Sequence, residues 1–345
     1  MVEQQEIRLL YKILLNREPD QPGLDAYYKY SIEKKIDNVH ELALIMTKGQ
    51  EFLRIHRSEL DTTWNNFQTI RYQDVDFKLP SHDFTYHTLA SFGSYEPYVS
   101  SHMFTRLSDV RVFVDVGANL GLFALPAAKK IAPAGHVYAF EASYRNANLL
   151  QQNAWRNSLK NVTVYPIGLS DSNGCAYTIN SNNTSNNTLF EGGNQGENVE
   201  LTPVVRLDSF WDAKIKIDMI KIDIEGYEYK FLEGAMQTIA KYHPAIYLEY
   251  SDLFQRTGSG VPGTFLLSKL IAFGYSFDIL HRARPPEEVA GSTSEVIERI
   301  EKALADHVQS DGGSHLDLYL ELKPAPHRAR RVGGPPLEKG ATKTT

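Results

Sequence analysis

The chain has 345 residues, 42% hydrophobic and 23% charged, the make-up of an ordinary globular protein with enough apolar side chains for a sizeable core. That length exceeds the commonest single-domain size and predicts two domains. The formal net charge of −6 argues against a dedicated nucleic-acid binder, and the single cysteine, Cys175, excludes an intrachain disulfide and a cysteine-based zinc cluster.

Met1 to Glu6 has no basic segment followed by an apolar one, so no secretory signal is expected. No apolar run approaches the roughly 20 residues that span a bilayer. The expected location is the cytoplasm, where Asn-x-Thr matches such as Asn161-Val162-Thr163 carry no meaning.

Residues 1–60 read as a helical N-terminal domain. Ile7, Leu10, Tyr11, Leu14 and Leu15 recur at helical spacing. Turn residues from Asn16 to Gly23 break the pattern, and Leu24, Tyr27 and Tyr28 restart it. Asp37-Asn38 can cap a third helix carrying Leu42, Leu44, Ile45 and Met46, which the stretch 51–55 extends or follows. The run 10–20, with Gly23-Leu24 and Gln50-Glu51-Phe52, resembles a small helical bacterial domain of unassigned function, often fused to enzymes that build surface polysaccharides. Asn16 stands where that domain usually has glycine, and Gly49-Gln50 replaces its serine and the next residue. A bundle without chemistry of its own is the plain reading. The resemblance implies possible partners among polysaccharide-assembly enzymes.

Residues 61–110 are aromatic and polar. They read as a connection plus one or two helices leaning on the main sheet, one of them started by Pro97. From 111 an α/β rhythm sets in, and 111–323 reads as one α/β domain. Strands are expected at 111–117, 136–141 and 161–169, with helices at 121–131 and 143–157. Strands 175–179 and 199–207 flank an Asn/Ser/Gly-rich loop, 180–198. Strands 218–225, 245–250 and 275–281 follow, with helices 229–241 and 261–273 between them. An insertion, 282–314, carries one amphipathic helix. Strand 316–322 suits an antiparallel closing hairpin at one sheet edge. Such alternation implies a mainly parallel sheet with right-handed crossovers. The tail 324–345, with Pro324, Pro326, Pro335 and Pro336 and a basic excess, reads as disordered.

Two stretches carry the chemistry. In the first, an apolar strand ends in Asp115 and turns through Gly117, Asn119 and Gly121 into a helix. Glycines there let backbone approach a ligand. The spacing is not the GxGxxG of pyrophosphate binding. Asp115 would repel a pyrophosphate but suits the amino group or sulfonium end of S-adenosylmethionine. Glu141 ends the next strand, 20 residues past Gly121, where an acid can accept both hydroxyls of a ribose. In the second stretch, period-2 alternation sets Lys221, Asp223 and Glu225 on one side of a central strand and Ile220, Ile222 and Ile224 on the other. Buried charges there are expensive unless paired or functional. A merely structural Lys221–Asp223 pair is the competing reading.

Together these pieces resemble the FkbM family of S-adenosylmethionine-dependent methyltransferases. The matching segments are Tyr95-Glu96, Asp115 to Gly121, Ala139 to Ala142, Gly168 to Asp171, Lys221 to Glu228 and Leu248-Glu249, in family order over roughly 90 to 280. Ala142 replaces a usual proline and Gly168 a usual alanine. The resemblance implies a Rossmann-like class I sheet with S-adenosylmethionine as cofactor. Gly117, Asn119 and Gly121 would face its methionine part, Glu141 with Ala142 the ribose, and Ser170-Asp171 the adenine. Asp223 would lie under the transferring methyl, and Tyr95-Glu96 would help close the site. The family typically methylates a hydroxyl oxygen on sugars or secondary metabolites.

The expected function is O-methyl transfer to a hydroxyl of a sugar or glycan intermediate, with Asp223 as base or acceptor-orienting group, Glu249 next, and Lys221 and Glu225 tuning the site. No metal is assigned, although the acids could alternatively hold magnesium. The loop 180–198 is a candidate acceptor lid. A non-catalytic scaffold with a relict pocket and a methyltransferase of secondary metabolites are the alternatives. A dehydrogenase is demoted by the missing GxGxxG.

Overall fold

The structure, a computed structural model, describes residues 19–34, 66–131, 134–179, 189–190, 199–282, 284–311 and 314–322, with residues 4, 7, 8, 11, 36, 42 and 46 singly. The expected third helix and the stretch 51–55, most of the loop 180–198, and the tail lie outside the described residues.

An eight-stranded sheet organises the chain. Its strands are β3 (Val112–Val116), β4 (His136–Phe140), β5 (Val162–Tyr165), β10 (Met219–Ile222), β11 (Ala245–Tyr250), β12 (Ser276–Leu280), β13 (Glu287–Val289) and β14 (Leu316–Glu321). The spatial order is β13-β12-β14-β11-β10-β3-β4-β5. Strands β11, β10, β3, β4 and β5 are parallel, and β14 is antiparallel to both β11 and β12. This is the doubly wound, mainly parallel, Rossmann-like arrangement, as expected. The closing strand is not at the edge, however. It inserts between β11 and β12, and the unexpected β13 forms the edge.

The central strands are apolar on both faces, as buried parallel strands must be. On one face Val114, Val116, Ile220, Ile222, Ile246 and Leu248 pack with Phe231, Leu232 and Leu266 from the helices Glu228–Tyr242 and Gly263–Ala272. On the other, Phe113, Ala139, Met219, Tyr247 and Tyr319 pack with Leu125, Leu149 and Leu150 from the helices Ala124–Lys130 and Tyr144–Arg156.

The segment after residue 60 contains more than the expected helices. Strands β1 (Phe67–Tyr72) and β2 (Val75–Pro80) form a hairpin through Gln73 and Asp74, both at positive φ. Helices Phe84–Phe92 and Pro97–Phe104 follow, and Met103 joins the second core face. The expected strand 161–169 is broken. Pro166 offers no N–H to a ladder, and β6 (Gly168–Leu169) leaves to pair with β9 (Val199–Val205) in a small sheet that includes β7 (Gly174–Ile179) and β8 (Leu189–Phe190). The helix Asp252–Gly258 was not expected. Within the N-terminal stretch the helix Gln21–Glu33 is capped by Asp20, whose side chain accepts from the Gly23 N–H.

Candidate active site

Beyond the carboxyl ends of β3, β4, β10 and β11 lies a cavity of about 650 Å³. Alternation builds its floor. Asp115, Lys221, Glu249 and Asp317 occupy the same sheet face as Phe113, Met219, Tyr247 and Tyr319, two residues nearer the cavity. In register, Asp115 stands opposite Lys221, and Glu249 opposite Asp317. Four adjacent strands thus set a row of charges at the mouth of the sheet.

The donor side is the turn after β3. Gly117 has φ +82°, and a β-carbon there would lie 1.8 Å from the Asp223 carbonyl oxygen. Only glycine allows that crossing. Asn119 is also left-handed, at φ +48°. Its N–H donates to Glu141 Oε2 at 2.7 Å, while Ser143 N–H donates to Oε1 at 2.8 Å. Burial pushes the Glu141 carboxyl up to about 7 against those two donors. Each oxygen keeps a lone pair for a further donor. The Asn119 side chain is occupied, its Oδ1 accepting from Asn146 Nδ2 at 3.1 Å.

Asp115 is buried. Its Oδ2 has no hydrogen-bond partner among the described residues. Burial pushes its carboxyl up to about 7, with Lys221 opposing and Asp223 reinforcing the rise. An unsatisfied acceptor at a cavity wall suits an ammonium or sulfonium cation. The residues present therefore fit the methionine and ribose parts of S-adenosylmethionine.

The acceptor side is acid-rich. Strand β10 ends at Ile222, so Asp223 and Glu225 are loop residues and not members of a strand face, contrary to expectation. Glu225 and Gly226, at φ +54° and +101°, turn the chain instead. The acids still converge, with carboxylate oxygens of Asp223, Glu225 and Glu249 within 4.8 Å of one another. Lys221 Nζ lies 2.7 Å from Asp223 Oδ2 and 4.6 Å from the centre of the Phe123 ring. Burial works against the Lys221 ammonium, but Asp223, Glu96 and Asp115 outweigh it and raise its pKa. Burial also works against the Asp223 anion, but Lys221, a hydrogen bond from Glu249 and the nearby His315 together outweigh it and hold Asp223 below the ordinary range.

The other acids move the opposite way. Burial, reinforced by Asp317, pushes Glu96 up to about 8, and burial with Asp223 pushes Glu225 up to about 8. Burial and Asp223 push Glu249 well above its usual value. His315 Nδ1 lies 3.2 Å from Glu249 Oε1. Tyr98 donates to Asp317 Oδ2 at 2.7 Å.

Most residues singled out from sequence meet here. Tyr95, Glu96, Asp115, Gly117, Asn119, Glu141, Ala142, Lys221, Asp223, Glu225 and Glu249 all border the cavity. Gly121, Ser170 and Asp171 do not. Gly121 packs on Leu150 and Leu125, where a β-carbon would come within 2.9 and 3.0 Å. Ser170 is buried against the helix Glu228–Tyr242, its carbonyl 1.9 Å from where a Gly234 β-carbon would sit. Ile167, Gly168 and Leu169 form the wall expected of Ser170-Asp171.

Sequence reasoning missed Tyr98, Arg282, His315 and Asp317. The last two were legible in part. They interrupt an apolar run two residues apart, the spacing of one strand face.

Comparison with known proteins adds the following. Residues 115–277 match the family model described as the Methyltransferase FkbM domain. No curated protein matches the chain. Among similar solved structures is a methyltransferase FkbM from Methylobacillus flagellatus, 16% identical with a TM-score of 0.38, covering 92% of this chain and 59% of that one. The chain thus spans about three fifths of that relative's length. The M. jannaschii TYW2 structure in complex with AdoMet is 14% identical, covering 74% of this chain and 87% of that one, with a TM-score of 0.34. The O-methyltransferase TomG from Streptomyces achromogenes, in complex with SAM, is 12% identical, covering 66% and 80%, with a TM-score of 0.31.

Proposed function

Since residues 115–277 are a methyltransferase domain of the FkbM family, we propose that the chain is an S-adenosylmethionine-dependent O-methyltransferase acting in the cytoplasm on a sugar or glycan hydroxyl. The observation that carries the cofactor assignment is the pairing of the unsatisfied Asp115 Oδ2 with the backbone-held Glu141, one on each side of the Gly117 turn. The sugar assignment rests on the N-terminal resemblance to a domain fused to polysaccharide enzymes, an analogy of company and not of geometry.

S-adenosylmethionine, when bound, supplies a methyl group on a sulfonium. Asp115 would hold the ammonium of its methionine end, and Glu141 would accept from the ribose. Ala142 and the wall 167–169 face the adenine. Tyr95 and Glu96 close the cavity from the helix side. Alignment supplies most of the rate. With the cofactor bound, the chain's own groups would have to align the acceptor hydroxyl and take its proton.

Asp223 orients the hydroxyl. Lys221 helps keep Asp223 ionised, so Asp223 takes the departing proton, with Glu249 beside it as the next group. The test is calorimetric titration of S-adenosylmethionine into wild-type protein, followed by transfer of a tritiated methyl group to glycan fractions. Absence of binding by the folded protein would remove the reading.

A further inference from the structure

A second cavity, of about 450 Å³, opens from the first and shares Tyr98, Arg282 and His315 with it. Its character is opposite. Where the first cavity is acid-floored, the second presents the guanidinium groups of Arg282, Arg284 and Arg299. Two of these are held from behind. Glu287 on β13 accepts from Arg299 Nε at 2.7 Å and from Arg284 at 3.2 Å, and His281 lies 3.2 Å from the same carboxylate. Arg282 forms no ion pair among the described residues; its guanidinium hydrogen-bonds the Tyr98 hydroxyl and lies 5.9 Å from the centre of that ring. At the junction Asp317 is engaged by Tyr98 and lies 4.0 Å from His315, while Glu249 lies 3.2 Å from the same imidazole. Asp306 is the remaining acid on the wall.

A planar fork with no carboxylate partner among the described residues, held by a tyrosine beside two pre-positioned forks, is what binds a phosphate oxygen pair. A hydroxyl at the acid floor would then lie at one end of a cleft, and an anion at the other. We propose that the second cavity is the subsite for the anionic part of the acceptor, and that the acceptor is a phosphate or diphosphate ester of a sugar. This rests on the methyltransferase reading and narrows its substrate class. Arg282 supplies that fork, and Arg284 and Arg299 the standing positive field, with Glu287 as their anchor. Sugar phosphates and nucleoside diphosphate sugars share this chemistry.

The test is calorimetric titration of wild-type protein, saturated with S-adenosylhomocysteine, with four probes: inorganic pyrophosphate, glucose 1-phosphate, UDP-glucose and uncharged methyl glucoside. The phosphate probes are expected to bind, and the uncharged glycoside to bind more weakly than any of them. Arg282→Gln should weaken the phosphate probes by roughly tenfold or more, the scale of one charge-assisted contact, and Arg282→Lys by less. A nucleotide-sugar acceptor would make UDP-glucose the tightest probe; a simple sugar phosphate would make it equal to glucose 1-phosphate. Equal binding of charged and uncharged sugars, no phosphate binding, or binding indifferent to Arg282→Gln would overturn the assignment. Arg282 is exposed, so its variants should fold. If wild-type protein binds S-adenosylmethionine but not the phosphate probes, only the subsite fails; if it binds no cofactor, the methyltransferase reading fails with it.

Discussion

Lys221→Met is the most revealing single change, because it removes one charge and little volume. Lys221 has 7% of its side chain exposed and Asp223 22%, with 2.7 Å between them. Removing one partner of a buried pair costs about 3–5 kcal/mol, because the other charge is left uncompensated. Water still reaches part of Asp223, which favours the low end, ~3 kcal/mol, or a Tm loss of roughly 6–12 °C at the scale of a large domain. The loss must also depend on pH. At about pH 8 Asp115, at about 7, is largely ionised and Glu96, at about 8, about half so, and both lean on the same ammonium. At about pH 5 both are protonated and only Asp223 remains to be stranded, so the variant should lose less there than at about pH 8. Thermal denaturation at both pH values checks this. Asp223→Asn in the Lys221→Met background should recover part of the loss. A drop below about 1 kcal/mol, a loss equal at both pH values, or no recovery would refute the account of Lys221 as the counter-charge of the acid floor.

Three further outcomes are expected. Glu141→Gln should weaken S-adenosylmethionine binding by about tenfold or more, because one face of the amide must point a donor at the Asn119 or Ser143 N–H; titration calorimetry measures it. Gly117→Ala should abolish cofactor binding or soluble expression, since a β-carbon 1.8 Å from a backbone oxygen cannot be relieved by a rotamer change; the readouts are soluble yield and cofactor titration. Wild-type Tm should fall as pH rises from about 5 to about 8. Over that range Glu96 and Glu225, raised from 4.5 to about 8, keep protons when folded that the unfolded chain releases. A Tm that is flat or rises across the range would contradict those shifts.

Much of the central sheet was legible, because buried parallel strands must be apolar throughout and the run around Phe113 and Val114 can be little else. The hairpin of β1 and β2 was not. Its turn places Gln73 and Asp74 at positive φ without the glycine that usually marks such turns. That the turn after β3 borders the cavity could be read because Asp115 and Glu141 are acids at strand ends, where such sheets open their clefts. Gly121 looked the same as Gly117 in sequence, yet one packs a helix and the other admits a neighbouring backbone. That difference lies in which chain crosses nearby, which spacing does not encode. Strand alternation extended the face of β10 one turn too far, past Ile222. The acids converge for a different reason: the left-handed Glu225 and Gly226 fold the loop back toward Glu249. Asp317 and His315 belong to the same floor but come from the far end of the chain, in an antiparallel strand whose place between β11 and β12 local pattern could not supply.

The crossing at Gly117 has a mechanical meaning. The turn after β3 and the loop carrying Asp223 touch backbone to backbone, with no side chain between them to take up slack. A ligand that displaces the turn must carry Asp223 with it, and a change of charge on the acid floor presses back on the turn through the same contact. A ligand bound at this turn would therefore be thermodynamically linked to the ionisation of the acids, each shifting the other by the same free energy.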